Sequence, residues 1–166
     1  MTNNRTNKPW GYEDLWAKTD KYVGKLINIK NGESLSLQYH NNKEETVRVV
    51  KGRLYVEFQR INDGGQKVHE YYVLRVGESL HVPPRQVHRF YAEAGPVDII
   101  EVSTPELDDV VRLEDKYGRG PTDEELESMW AKIREDVPYS IVQSNERRLP
   151  IPHRLKNKMR HHHQIL

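Results

Sequence analysis

The sequence contains no cysteine, which rules out a disulfide framework and any thiolate metal site. It has no excess of charge of either sign. Its 26 Lys and Arg stand against 25 Asp and Glu, for a formal net charge of +1, a balance that argues against a general nucleic-acid binder. No apolar run approaches the length of a membrane span. The stretch from Met1 to Lys8 is polar and lacks the apolar centre of a signal peptide. Together these absences predict a soluble, cytoplasmic protein with neither a membrane nor a nucleic-acid partner. There is no internal repeat. No Gly-rich nucleotide loop precedes the patterned region, so nucleotidyl transfer is not expected of this chain alone.

What is present is the pattern of one domain. The chain has 166 residues, enough for a single core. From about Lys21 to Val102, short β-rich stretches alternate with Gly, Pro and Asn. Leu26, Ile27 and Ile29 mark one strand, Leu35 to Tyr39 the next, and Thr46 to Val50 a third. Leu54, Val56 and Phe58 alternate with Tyr55, Glu57 and Gln59, the period of a strand with one buried face. Asn62-Asp63-Gly64-Gly65 reads as a hairpin turn. Tyr71 to Val76, Ser79 to Val82, Val87 to Ala92 and Val97 to Val102 complete a set whose spacing predicts a sandwich or barrel.

The character changes after Pro105. Thr122 and Glu125 form a capping box that predicts a helix from Pro121 to Val137, with acids in its first turn facing the dipole. Leu126, Met129, Trp130 and Ile133 share one stripe of it, which is expected to pack on the barrel or on a second subunit. The predicted organisation is a barrel with an N-terminal arm over 1–119, a helical extension over 120–138 and a basic tail over 139–166. The tail includes His161-His162-His163; three histidines there do not make a preformed site.

The strongest chemical signal lies in the strands. Gln38 and His40 are two residues apart on one strand and share a face; Glu45 follows, and His88 comes from a later strand. Oxygen and imidazole donors without thiolate suit one divalent ion, Zn first and otherwise Mn, Fe, Co or Ni.

These residues resemble the two motifs of the cupin superfamily. Gly32, Gln38, His40, Glu45 and Gly52 keep every spacing of the first, with Gln38 in place of its first histidine. Gly77, Pro83 and His88 match the second, while Arg85 replaces its glycine and Ala92 its asparagine. Within cupins the chain resembles the mannose-6-phosphate isomerase domain that ends bifunctional mannose-1-phosphate guanylyltransferases. Lys8-Pro9-Trp10-Gly11 is similar to that family's opening, and the segment from Asp108 to Arg119 to its close. Thr46-Val47 departs from the family's usual His-Trp, Asn41 and Asn42 from its histidines, and Lys43 from its arginine. The resemblance implies an all-β jelly-roll barrel, the double-stranded β-helix. It also implies a metal held by Gln38, His40, Glu45 and His88, and isomerisation of mannose 6-phosphate and fructose 6-phosphate.

An aldose–ketose isomerase needs a base at the substrate carbon. Glu101 and Lys25 are the candidates for proton transfer and substrate contact. Lys43, Arg89 and Arg112 are candidates to hold the phosphate by charge-assisted hydrogen bonds, with Arg119 nearby in sequence. Trp10, Trp16, Tyr39, Tyr55 and Phe90 either line a sugar pocket or pack in the core. His69 and His81 read as ordinary structural residues. Exposed strand edges predict a homodimer. Two other functions stay open: a non-catalytic sugar-binding cupin, and a metal-dependent dioxygenase, since fold does not fix function.

Overall fold

The structure is a computed structural model and describes residues 4–62 and 64–136. Eleven strands and one helix occur among the described residues. Two N-terminal strands, β1 (Arg5–Lys8) and β2 (Gly11–Lys18), precede β3 (Val23–Ile29), β4 (Leu37–Tyr39), β5 (Glu45–Lys51) and β6 (Arg53–Ile61). Then come β7 (Lys67–Arg75), β8 (Ser79–Val82), β9 (Val87–Tyr91), β10 (Val97–Ser103) and β11 (Val111–Glu114). The predicted N-terminal arm is thus a hairpin that extends the sheet, since β1 and β2 pair with each other and β2 with β3.

The strands form two antiparallel sheets, ordered β1-β2-β3-β10-β5-β8 and β11-β4-β9-β6-β7. The sheets face each other across an apolar core. Ile27, Val47, Val49, Val82 and Ile99 from the first meet Leu54, Val56, Phe58, Leu74 and Phe90 from the second. This is the jelly roll that the resemblance implies, one of the sandwich or barrel forms that the strand spacing predicts.

Strand alternation decides what enters the barrel. On β5, Glu45, Val47 and Val49 are buried, while Thr46, Arg48 and Val50 are exposed. On β10, Val97, Ile99, Glu101 and Ser103 are buried. The apolar members of each row fill the core, and the polar ones cluster where the rows run out. Two backbone positions hold the turns. Gly52 has φ of 79°, and a Cβ there would lie 2.3 Å from the Pro96 carbonyl oxygen, so only glycine fits. Arg85, which stands at the glycine of the second motif, keeps the left-handed φ of 70° that glycine adopts more readily. Its amide donates to the His40 carbonyl at 2.7 Å.

The helix, α1 (Asp123–Asp136), starts at the predicted capping box: the Thr122 amide donates to Glu125 Oε2 at 2.8 Å, and the Glu125 amide to Thr122 Oγ1 at 3.4 Å. Its stripe lies on the outer face of the second sheet. There Trp130 and Ile133 are buried with Leu37, Tyr39, Val87 and Leu113, flanked by Leu126 and Met129. Of the two expected partners, the barrel itself takes the helix. The predicted tail, 139–166, lies outside the described residues.

Candidate metal centre

Three side chains converge inside the barrel. His40 leaves the end of β4, Glu45 opens β5, and His88 lies on β9 directly across from Gln38 of β4. His40, Glu45 and His88 are buried, and one ligand atom from each lies within 4.8 Å of the others. Glu45 Oε1 is 3.1 Å from His88 Nε2, and Glu45 Oε2 is 3.7 Å from His40 Nε2.

Both rings are anchored from behind. His40 Nδ1 bonds the Asp109 main-chain carbonyl, and His88 Nδ1 bonds that of Gln86 at 2.9 Å. A carbonyl oxygen only accepts, so Nδ1 of each ring carries a proton, and both rings turn Nε2 toward Glu45. Both Nε2 atoms are buried without a hydrogen-bond partner. A proton can occupy the short gap between His88 and Glu45, but it leaves His40 unserved. One cation serves both rings, and two imidazoles with a carboxylate suit a borderline or hard divalent ion. The residues present therefore fit a metal.

The electrostatics agree with that fit. Burial pushes the His40 imidazole down to about 4, helped by His88 and Lys43 and opposed by Glu45, so the ring is neutral at neutral pH. Burial also pushes the Glu45 carboxyl upward, but His88, Lys43 and His40 together outweigh it and hold the group well below the usual carboxylate range. Gln38 faces the same space, its Oε1 accepting from Ser36 Oγ at 2.7 Å.

The group opens into a cavity of about 140 Å³ that Gln38, His40 and Glu45 line. Glu101, Lys25, Lys43 and Arg112 line it too. Glu101 is inward-facing rather than a surface acid, and it sits in register with Lys25 of β3. Lys25 Nζ lies 3.7 Å from Glu13 Oε2. Lys43 bonds Glu45 and lies 2.9 Å from Glu101 Oε1. It is 5 % exposed, so this ammonium is a buried counter-ion rather than a group at the mouth. Burial opposes its charge, but the two carboxylates overcome that and raise its pKa. Arg112, across from Gln38 on β11, has a buried Nε without a hydrogen-bond partner.

Arg89 is elsewhere. Because His88 points inward, its neighbour points outward, and Arg89 pairs with Glu57 at 3.0 Å and Glu114 at 2.8 Å on the outer face. Its expected place in the substrate pocket is corrected accordingly. The aromatic candidates also divide. Trp10 and Phe90 line the cavity, Tyr39 packs under α1, Tyr55 lies against Tyr91, and Trp16 is 57 % exposed over Gly24. His69 bonds Glu57 at 3.0 Å, and His81 lies between Thr46 and Glu44.

Three contributors were missed from sequence. Glu13 had a weak signal in the alternation of β2. Asp109 and Gln86 act through main-chain carbonyls, which no side-chain pattern announces.

Residues 1–115 match the family model described as mannose-6-phosphate isomerase C-terminal. The chain is 38% identical over 116 residues to a mannose-1-phosphate guanylyltransferase of Escherichia coli (strain K12), covering 68% of this chain and 22% of that protein. It is 34% identical over 117 residues to the alginate biosynthesis protein AlgA of Pseudomonas aeruginosa, with 68% and 22% covered. The chain thus spans under a quarter of the length of these relatives. A solved structure from Klebsiella pneumoniae, a protein with a double-stranded β-helix domain, is similar in fold. Its TM-score is 0.50 at 19% identity, over 69% of this chain and 92% of that one.

Proposed function

Since the chain belongs to the mannose-6-phosphate isomerase C-terminal family, we propose that it is a metal-dependent aldose–ketose isomerase of a sugar phosphate, mannose 6-phosphate and fructose 6-phosphate first. One observation carries the reading: the buried His40, Glu45 and His88 group opens on the same cavity as the inward carboxylate of Glu101 and the guanidinium of Arg112. His40, Glu45 and His88, with Gln38 beside them, would hold the ion, Zn by donor set, and the bound ion supplies Lewis-acid polarisation of the substrate oxygens.

The chain's own residues supply the rest. Glu101 takes the proton from C2 of the aldose and returns it to C1, while the proton on O2 ends on O1, so nothing is gained or lost. Lys43, 2.9 Å from Glu101, keeps that carboxylate in place. Arg112 is free to bind the phosphate dianion by charge-assisted hydrogen bonds. Trp10 and Phe90 wall the cavity and limit water.

A coupled assay on metal-loaded protein tests this. Glu101→Gln should lower kcat by about 10²–10⁴-fold with sugar-phosphate affinity retained, and Arg112→Gln should mainly raise KM. Absence of isomerisation with every hexose and pentose phosphate tried would contradict the proposal. A second reading, a non-catalytic sugar-binding barrel, is favoured by the contact of Lys43 with both Glu45 and Glu101. Binding of sugar phosphate without turnover would select it.

A further inference from the structure

Asp109 lies between β10 and β11, outside both metal-ligand motifs, yet it bears on the centre twice. Its side chain grips the loop that follows His40. Oδ1 accepts from the Asn41 amide at 3.0 Å and from Asn41 Nδ2 at 3.3 Å, and Oδ2 from the Asn42 amide at 2.6 Å and the Lys43 amide at 2.9 Å. Burial pushes this carboxyl upward, but the four bonds outweigh it and lower its pKa. Its main-chain carbonyl accepts from His40 Nδ1. One residue thus fixes a ligand histidine with its backbone and the loop carrying Lys43 with its side chain. The same segment brings Leu107 and Val110 into the cavity wall.

We propose that Asp109 is the positioning residue of the metal centre, locking His40 in the tautomer whose Nε2 is free to take a divalent cation. The carboxylate acts at one remove. Its four bonds hold the segment in register with the loop, and that register keeps the carbonyl over Nδ1. If the grip is lost, the carbonyl drifts and the imidazole proton can settle on Nε2, where it blocks the cation. Partners of this kind behind a ligand histidine are worth about 10–100-fold in metal affinity. The proposal rests on the metal reading of the site and not on the identity of the substrate.

The test uses the full chain stripped of metal by chelation. Long-range ¹H–¹⁵N spectra report the His40 tautomer, and calorimetric titration with Zn²⁺ reports affinity. The wild type should show Nδ1–H, and Asp109→Ala should lose it and bind Zn²⁺ about 10–100-fold more weakly. Asp109→Asn keeps an acceptor for Asn41 but turns a donor toward the Asn42 and Lys43 amides, so it should fall between. It also carries the test if the alanine variant does not fold. Glu33→Gln, which loses its contacts to Lys116 and Tyr117, should leave both readouts unchanged. The proposal is overturned by full zinc affinity with an unchanged tautomer in a folded Asp109 variant, or by an equal loss in Glu33→Gln. It is equally overturned by a wild type that binds no zinc or carries its His40 proton on Nε2. Zinc binding by the wild type without isomerisation would remove the isomerase reading and leave this one standing.

Discussion

At the scale of single residues, the barrel wall sorts charges by the side they face. His88 and Arg89 are neighbours on β9, and the pleat sends one to the metal centre and the other to the outer face. There Glu57, 2 % exposed, meets Arg89 at 3.0 Å and His69 at 3.0 Å. Burial pushes the Glu57 carboxyl upward, but the His69 hydrogen bond, the Arg89 charge and the Gln59 hydrogen bond prevail, and its pKa falls below the ordinary 4.5. The unfolded chain therefore takes up this proton first as the pH falls. The stability from Glu57 is fully present above about pH 4.5 and is lost as the pH drops through the lower folded value. Glu57→Gln should cost about 3 kcal/mol at pH 7, the low end for breaking a buried pair. It should also lose less stability than the wild type below pH 4.5. Urea denaturation at pH 7 and pH 3.5 measures both, and parallel losses in the two proteins would contradict the assignment. The same pleat explains what was legible beforehand. Gln38, His40, Glu45 and His88 follow from motif spacing, and Glu101 from alternation along β10. Closeness to His88 in sequence suggests a place for Arg89 at the site, but the strand period sends it to Glu57 and Glu114 on the outer face. Asp109 stayed hidden because its carboxylate grips mostly main-chain amides and its own carbonyl holds His40, pairings that no side-chain pattern announces.

At the scale of elements, the strands with apolar alternation were readable and the polar ones were not. β8 (Ser79–Val82) has its predicted bounds, and β5, β6, β9 and β10 differ from theirs by a few residues. β1 (Arg5–Lys8) contains no apolar residue. It is a strand only because β2 offers it a partner, a tertiary cause that local pattern does not carry. β11 is short and was read as part of a closing segment, although its Leu113 is buried under α1. The helix was legible at both its cap and its stripe. Its seat on the second sheet covers Leu37, Tyr39 and Val87, the outward neighbours of Gln38 and His88, so α1 backs the strands that carry the centre. Trp130, 3 % exposed, is the anchor of that contact. Trp130→Ala should cost about 3–5 kcal/mol, and Thr122→Ala, which removes only the cap, about 1 kcal/mol. Thermal unfolding of the two variants checks the order. An equal effect would mean that the helix adds nothing by packing.

At the scale of the whole molecule, two sheets enclose an apolar core, and polar side chains of β2, β3, β4, β5, β10 and β11 meet at one cavity. The buried groups there are arranged in opposition: Lys43 faces Glu45 and Glu101, while the His40 and His88 rings turn their Nε2 atoms to the same Glu45. Lys43 already pairs the Glu45 carboxylate, so it is the two buried Nε2 atoms without a hydrogen-bond partner that give the physical reason to place a metal there. Among the described residues, no helix is long and apolar enough to cross a membrane. The most direct test is anomalous diffraction from crystals of the metal-loaded protein, collected at the absorption edge of the added ion. One strong peak enclosed by His40 Nε2, His88 Nε2 and Glu45 is the expected result. No peak in the barrel, or a peak only at surface side chains away from these three, would contradict it.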